Sequence, residues 1–124
     1  MAQLTKNFNT NEFVCPCCGE TKMNAKFMQR LQTFREVMGI PFSPVKGGGY
    51  RCESYNKSKT GAHVEGRAID PNLPKDLLFK AVSVAISVGF TGIGIKNKNG
   101  AYQLHLDDAE AIPGKRPRPL IWTY

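Results

Sequence analysis

The chain has two histidines, and each lies close in sequence to an aspartate. His63 opens the stretch HVEGRAID, which ends at Asp70, and His105 stands two residues before Asp107. Two imidazoles and one carboxylate form a ligand set that suits a zinc ion whose fourth position is left for water. We therefore predict that His63, Asp70 and His105 bind one catalytic zinc ion.

The residues before Asp70 leave room for a ligand. Side chains alternate along a strand, so Gly66 and Ala68 should share a face with Asp70 in the predicted short strand GRAIDPN. Two such small residues leave open space beside the carboxylate, which a metal ion or a substrate could fill. The alternative is a helix packed closely on a Gly/Ala strand, with Asp70 capping another group.

A hydrolytic zinc ion activates water and polarises a carbonyl group, and a carboxylate is then needed to pass the proton to the leaving amine. In the predicted strand AYQLHLD, Gln103, His105 and Asp107 lie on one face and the leucines on the other. We predict Asp107 as the general base. The alternative is that Asp107 orients a histidine ring. Asp108 should point the other way.

These motifs resemble a known family of peptidases. The run GGGYRCESYNKSKTGAHVEGRAID, followed later by LHLD, resembles the zinc D-Ala-D-Ala carboxypeptidase group, whose fold is shared with the hedgehog signalling domain. The ending RPRPLIWTY is similar to the Arg-and-Trp ending of the murein-endopeptidase branch. The opening EFVCPCCG is similar to a stretch of small phage-type members, so the resemblance extends from Glu12 to the C-terminus.

The resemblance implies a zinc peptidase that cleaves a peptide bond in bacterial peptidoglycan, as an endopeptidase or a D,D-carboxypeptidase, with a phage endolysin as one form of such an enzyme. It implies that Arg51 binds the substrate's carboxylate or polarises its carbonyl, with a structural ion pair as the alternative. Tyr50 and Gln103 would contact the substrate, which is the peptidoglycan stem peptide. Tyr102 stands where many members carry a catalytic carboxylate, which leaves open a hedgehog-like domain that binds a partner without catalysis.

Two helices and a hairpin are predicted along the chain. Residues 24–41 have helical spacing of apolar residues, with Asn24 as the cap and Gly39 at the end. Residues 73–90 should form a second helix, whose later turns are apolar on nearly every side and should be buried. The stretch TGIGIKNKNGAYQLHLD reads as a hairpin that turns at NKNG. These elements predict an α+β fold, with a small, mainly antiparallel sheet and two main helices. Together with the resemblance they imply one zinc peptidase-like domain over residues 1–124.

The cysteines suggest a competing function. Cys15, Cys17 and Cys18 lie in CPCCG, which has the composition of a zinc knuckle, and Cys52 is distant in sequence. A knuckle of a nucleic-acid-binding module needs a second pair of ligands, and no CxxC or HxxxH follows. A site with Cys52 is open if the fold brings the cysteines together. Otherwise CPCCG is a tight turn before the first helix, with Cys15 and Cys18 packed inward.

Composition and charge limit the other function classes. With 124 residues, 41% apolar and 22% charged, the chain is typical of a globular domain. Its net charge of +7 favours anionic partners, among them cell-envelope polymers. We expect a monomer without nucleic-acid binding or membrane insertion. The N-terminus lacks the pattern of a signal peptide, so we expect synthesis in the cytoplasm and action on the cell wall after release through a permeabilised membrane or as part of a phage particle.

Overall fold

The computed structural model describes residues 3–57 and 61–124 of the chain. Its elements confirm the α+β class, because helices pack against a small, mainly antiparallel sheet. In chain order they are β1 (Gln3–Thr5), β2 (Phe8–Asn9), α1 (Ala25–Met38), α2 (Glu53–Asn56), β3 (Ala68–Ile69), α3 (Leu78–Val88), β4 (Gly92–Lys98), β5 (Ala101–Asp107) and β6 (Leu120–Thr123), with 3₁₀ turns at Thr10–Phe13 and Lys75–Leu77.

Helix α1 begins and ends as its sequence predicts. The Asn24 side chain accepts a hydrogen bond from the backbone N–H of Phe27, which satisfies one of the free donors at the helix start. Gly39 has a φ of 75° and donates its N–H to the carbonyl of Arg35, which closes the last turn. The buried face of α1 consists of Phe27, Met28, Leu31, Phe34 and Met38.

The second predicted helix forms as α3, but the prediction that its later turns are buried is wrong. Only one side of α3, with Ala81, Val84 and Ala85, is buried against α1 and the sheet. Phe79 is 90% exposed and Ile86 is 56% exposed, because they lie on the opposite side of the helix. Among the described residues, no helix is long and apolar enough to cross a membrane.

The main sheet has the strand order β3-β5-β4-β6. Strands β4 and β5 form the predicted hairpin, and its two-residue turn has Asn99 at φ 54° and Gly100 at φ 84°. Positive φ at both positions is what a tight hairpin turn requires. Strand β3 pairs antiparallel to β5, and β6, which was not predicted, pairs parallel to β4. The sheet therefore carries His105 and Asp107 on β5, one of its two inner strands.

Phenylalanines fill the space between α1, α3 and the N-terminal strands. Phe34 lies at the centre of this cluster, with ring centroids 5.7 Å from both Phe42 and Phe90 in edge-to-face geometry. Leu104 and Leu106 add the apolar face of β5 to the same core. The opposite face of β5 is thus free to build a polar site, as its alternation predicts.

Phe34→Ala should destabilise the protein by about 3–5 kcal/mol, because the substitution removes a fully buried ring and leaves a cavity in the phenylalanine cluster. The matched control is Phe79→Ala, on an exposed helix surface, which should change stability by less than about 0.5 kcal/mol. Urea unfolding followed by circular dichroism measures both. Equal losses in the two variants would contradict the described core.

Candidate metal centre

His63 lies in a buried turn between α2 and β3. Its Nδ1 is 2.8 Å from the carbonyl oxygen of Gly49. A carbonyl only accepts, so Nδ1 carries the proton and Nε2 presents a lone pair. Nε2 is buried, lies 3.3 Å from Oδ1 of Asp70 and has no hydrogen-bond partner among the described residues. A lone pair directed at a carboxylate is unfavourable unless a cation lies between them.

Asp70, directly after β3, contacts Arg51 and both histidines of the site. Its Oδ1 is 3.1 Å from Nδ1 of His105, and its Oδ2 accepts a hydrogen bond of 2.8 Å from Nη2 of Arg51. Burial raises the pKa of Asp70, but the hydrogen bond with His105 and the closeness of the His63 ring outweigh it and hold the pKa well below its usual range. The carboxylate is therefore ionised at neutral pH.

The donor set fits a zinc ion. One nitrogen each of His63 and His105 and one carboxylate oxygen of Asp70 lie within 4.8 Å of one another, and all three residues are buried. The buried nitrogen of His63 that lacks a partner is the kind of atom that a metal ion would satisfy. His63, Asp70 and His105 could thus hold one zinc ion, which would take the place of the proton at Nδ1 of His105.

Asp107 supports His105 from the side away from Asp70. Its Oδ2 is 2.7 Å from Nε2 of His105, and the N–H of Ala109 donates to Oδ1 at 3.1 Å. Arg118 makes a forked pair, with Nε 3.0 Å from Oδ1 and Nη2 2.7 Å from Oδ2. These four hydrogen bonds to a fully buried carboxylate favour the role of orienting the histidine ring. The prediction that Asp107 is the general base stays a prediction.

Burial and its neighbours change the protonation of this pair. Burial lowers the pKa of His105, but the hydrogen bonds with Asp107 and Asp70 outweigh it, so the pKa is raised. For Asp107, burial raises the pKa, and the bonds from His105 and Arg118 bring it well below its usual range. Both ring nitrogens of His105 thus face carboxylate oxygens, an arrangement in which a divalent cation could take the position between Nδ1 and Asp70.

Two glycines allow close packing near the site, and for Gly66 this differs from the predicted role. Gly66 is not on β3, and its φ of 69° places it in a turn where a side chain would collide with the backbone of Lys22. It therefore does not provide open space beside Asp70. Gly92 on β4 faces Asp107 across the hairpin, and a methyl group there would overlap the Asp107 carboxylate. At both positions a neighbouring group lies too close for a side chain, and neither glycine serves to leave a wide pocket.

The residues predicted to contact substrate lie in different environments. Arg51 lines the cavity above the metal centre and is also tied to Asp70 and to the carbonyl of Gly47. Gln103 lines the same cavity, with its amide donating to the carbonyl of Pro71. Tyr50 is buried and is not among the residues that line the cavity. Of the three predicted contact residues, the structure brings Arg51 and Gln103 to the site.

The cavity has a volume of about 520 Å³ and a cationic lining. Trp122 and Arg118 from the C-terminal segment form one wall. The Trp122 ring lies 5.3 Å from the His105 ring, and the Arg118 guanidinium lies 4.9 Å from the Trp122 ring. Neither residue was predicted as a site residue, although the ending RPRPLIWTY carried the resemblance. The basic residues of the lining are Lys46, Arg51, Lys96, Arg116 and Arg118.

Asp108 points away from the metal centre, as predicted. It is buried, and its carboxylate accepts hydrogen bonds from Arg30 at 2.7 Å and from Arg67 at 2.9 Å. Burial of a carboxylate is tolerated when it is paired in this way. This ion pair ties α1 to the segment that follows β5.

The comparisons with known proteins point to one family. A family model described as Peptidase M15 matches residues 6–107, which is most of the chain. The matched range contains the whole His63, Asp70 and His105 cluster and ends at Asp107. No curated protein matches the chain significantly.

His63→Ala should lower the zinc content of the purified protein by one ion per chain, because it removes a buried ligand nitrogen. Asp107→Asn should retain that ion, since Asp107 contacts His105 and not the other two ligands. Inductively coupled plasma mass spectrometry of the dialysed variants measures both. An unchanged zinc content in His63→Ala would contradict the assignment of the metal centre.

Proposed function

Because the chain belongs to the peptidase M15 family and is a metallopeptidase, we propose that it uses one zinc ion at His63, Asp70 and His105 to hydrolyse a peptide bond in bacterial peptidoglycan. The observation that carries the proposal is the convergence of the three ligand atoms, within 4.8 Å of one another, beneath an open cationic cavity. A bound zinc ion supplies water activation and polarisation of the scissile carbonyl.

The lining of the cavity supports an acidic peptide as the substrate. Stem peptides of peptidoglycan carry carboxylate groups, and guanidinium groups bind carboxylates with two parallel hydrogen bonds. Arg51 is the best placed for this role, because its guanidinium lies at the cavity surface beside Asp70 with its side chain 27% exposed. Lys46 and Lys96 add positive charge at the rim of the same cavity.

The remaining site residues hold the metal ligands and the substrate in position. Gly49 orients His63 through its carbonyl oxygen, and Asp107 orients His105 through a hydrogen bond of 2.7 Å. Asp107 acts as general base only if one of its oxygens exchanges a protein partner for water, since both are fully used in the described contacts. Gln103 and Trp122 contribute contacts to the bound peptide.

The site of action follows from the substrate. We place the protein at the bacterial cell wall, reached through a permeabilised membrane or within a phage particle, as an enzyme of the endolysin kind.

The reaction is that of an endopeptidase or of a carboxypeptidase. Cross-linked walls and isolated stem peptides that end in D-Ala-D-Ala are the substrates that distinguish the two. Release of cross-links or stem fragments indicates an endopeptidase, whereas release of free D-alanine indicates a carboxypeptidase.

Asp107→Asn should lower kcat on purified cell walls by about 10²–10⁴-fold while zinc is retained, because the variant loses a charged group of the catalytic site. Turbidity loss and product release are measured from low to neutral pH. If Asp107 transfers the proton, the acidic limb of the kcat profile should change; if it orients His105, the limb should keep its shape. Asp76→Asn, at an exposed aspartate, is the matched control and should behave as wild type.

Full activity of Asp107→Asn would remove Asp107 from the catalytic site and leave the metal assignment untouched. A zinc-loaded wild-type protein that cleaves neither walls nor stem peptides would contradict the proposed function. That result would favour the hedgehog-like binding domain without catalysis.

Arg51→Lys should raise KM for stem peptides by about tenfold or more, because one hydrogen bond to a charged group contributes about 1.5–3 kcal/mol and lysine cannot reproduce the fork. The change in kcat should be smaller. Arg35→Lys on α1, outside the cavity lining, is the matched control. Unchanged KM in Arg51→Lys would reduce Arg51 to a structural ion pair.

A further inference from the structure

The fold brings the cysteines of CPCCG to Cys52. The sulfur atoms of Cys15, Cys18 and Cys52 lie within 4.8 Å of one another, and the Cys15 and Cys52 sulfurs are 3.6 Å apart. All the cysteines are free thiols. Cys15 is buried, whereas Cys18 is exposed, so the expectation that both pack inward is wrong for Cys18. This cluster is separate from the histidine site and has no part in the proposed reaction.

The spacing of the sulfurs suits a metal ion. Two thiolates bound to one tetrahedral zinc ion at 2.3 Å are about 3.8 Å apart, whereas disulfide sulfurs are bonded at about 2.0 Å. The 3.6 Å between Cys15 and Cys52 is close to the first value. Three thiols from two distant segments, gathered around one point, match the donor type that zinc prefers in structural sites.

The backbone around Cys15 favours a thiolate. Gly19 donates its N–H to the Cys15 carbonyl at 2.8 Å, and Cys15 donates to the carbonyl of Glu20 at 2.7 Å, so the CPCCG segment closes into a tight turn. The N–H of Cys52 points at the Cys15 sulfur at 3.4 Å. A backbone N–H that donates to a sulfur favours the ionised thiolate, which is the form that binds a metal ion.

We propose that Cys15, Cys18 and Cys52 bind a second, structural zinc ion, which holds the CPCCG turn against the segment that carries Arg51. Cys17 stands between Cys15 and Cys18 in the sequence and is therefore the candidate for the fourth ligand. A site closed by four ligands is the usual arrangement of structural zinc, in contrast to the three-ligand histidine site with its open position.

The proposed ion would connect the two metal sites mechanically. Cys52 directly follows Arg51, whose guanidinium contacts Asp70. The segment that contains Cys52 also contacts Phe13, which lies just before the CPCCG turn. The N–H of Tyr50 donates a hydrogen bond of 3.0 Å to the carbonyl of Phe13, and Gly49 packs against Phe13. Loss of the cysteine-bound ion should therefore make Arg51 more mobile and weaken substrate binding. The effect on substrate binding rests on the proposed function, whereas the assignment of the cysteine site does not.

The test compares Cys18→Ser, Cys17→Ser and His63→Ala with wild type, all purified under reducing conditions and loaded with Co²⁺ in place of zinc. Thiolate ligands give cobalt an intense charge-transfer band in the near ultraviolet, which a His/Asp site lacks. We expect Cys18→Ser to lose this band and one metal equivalent, and His63→Ala to lose one equivalent but keep the band. Cys18→Ser should also unfold at a lower temperature and raise KM more than it lowers kcat.

Cys17→Ser decides the fourth position within the proposal. Loss of the band there makes Cys17 the fourth thiolate, and its retention leaves that position to water with the three-thiolate site intact. An undiminished band and full metal content in Cys18→Ser would overturn the proposal. A protein isolated without reductant whose mass shows a Cys15–Cys52 disulfide, and which binds no second ion after reduction, would overturn it as well.

Discussion

The buried carboxylate of Asp70 is the contact on which the metal centre depends. Removing an ionised carboxylate from water costs several kcal/mol unless charged and hydrogen-bonding partners surround it. Asp70 has such partners from two parts of the chain, Arg51 before α2 and His105 on β5, and the lone pair of His63 leaves a place for a cation on its third side. Its own backbone is held as well, since its N–H donates to Gly48 and its carbonyl accepts from Val45. A fold that misplaced any one partner would leave a buried charge uncompensated.

A second buried carboxylate, that of Asp107, repeats this arrangement. Asp107 lies on the far side of His105, so the imidazole is held between two aspartates. The charge of Asp107 is balanced by Arg118, which reaches it because β6 pairs parallel to β4 and returns the C-terminal segment to the sheet. Gly92 allows β4 to approach closely enough for this packing. The last strand is therefore required to hold the orientation of His105, although the metal ligands all precede it.

Elements that depend on a few neighbouring residues were predicted from the sequence, whereas features that depend on contacts between distant residues were not. The cap at Asn24 and the Asn-Gly turn of the hairpin are signals within a few residues, and both elements formed as predicted. The alternation along β5 placed His105 on the polar face for the same reason. The parallel pairing of β6 and the exposed side of α3 depend on what packs against them, which a periodic pattern does not reveal. Gly66 shows the same limit, since its role is set by the distant backbone of Lys22.

The segment from Gly49 to Cys52 unites these observations. Gly49 orients His63 through its carbonyl oxygen, Arg51 binds Asp70, and Cys52 joins the sulfur cluster. Residues of one short segment thus contact His63, line the cavity and reach Cys15. A segment without regular secondary structure needs such external restraints to keep a guanidinium in place, because few of its backbone groups are bonded within an element. Asp70 restrains it from one side, and the ion proposed at the cysteines would restrain it from the other.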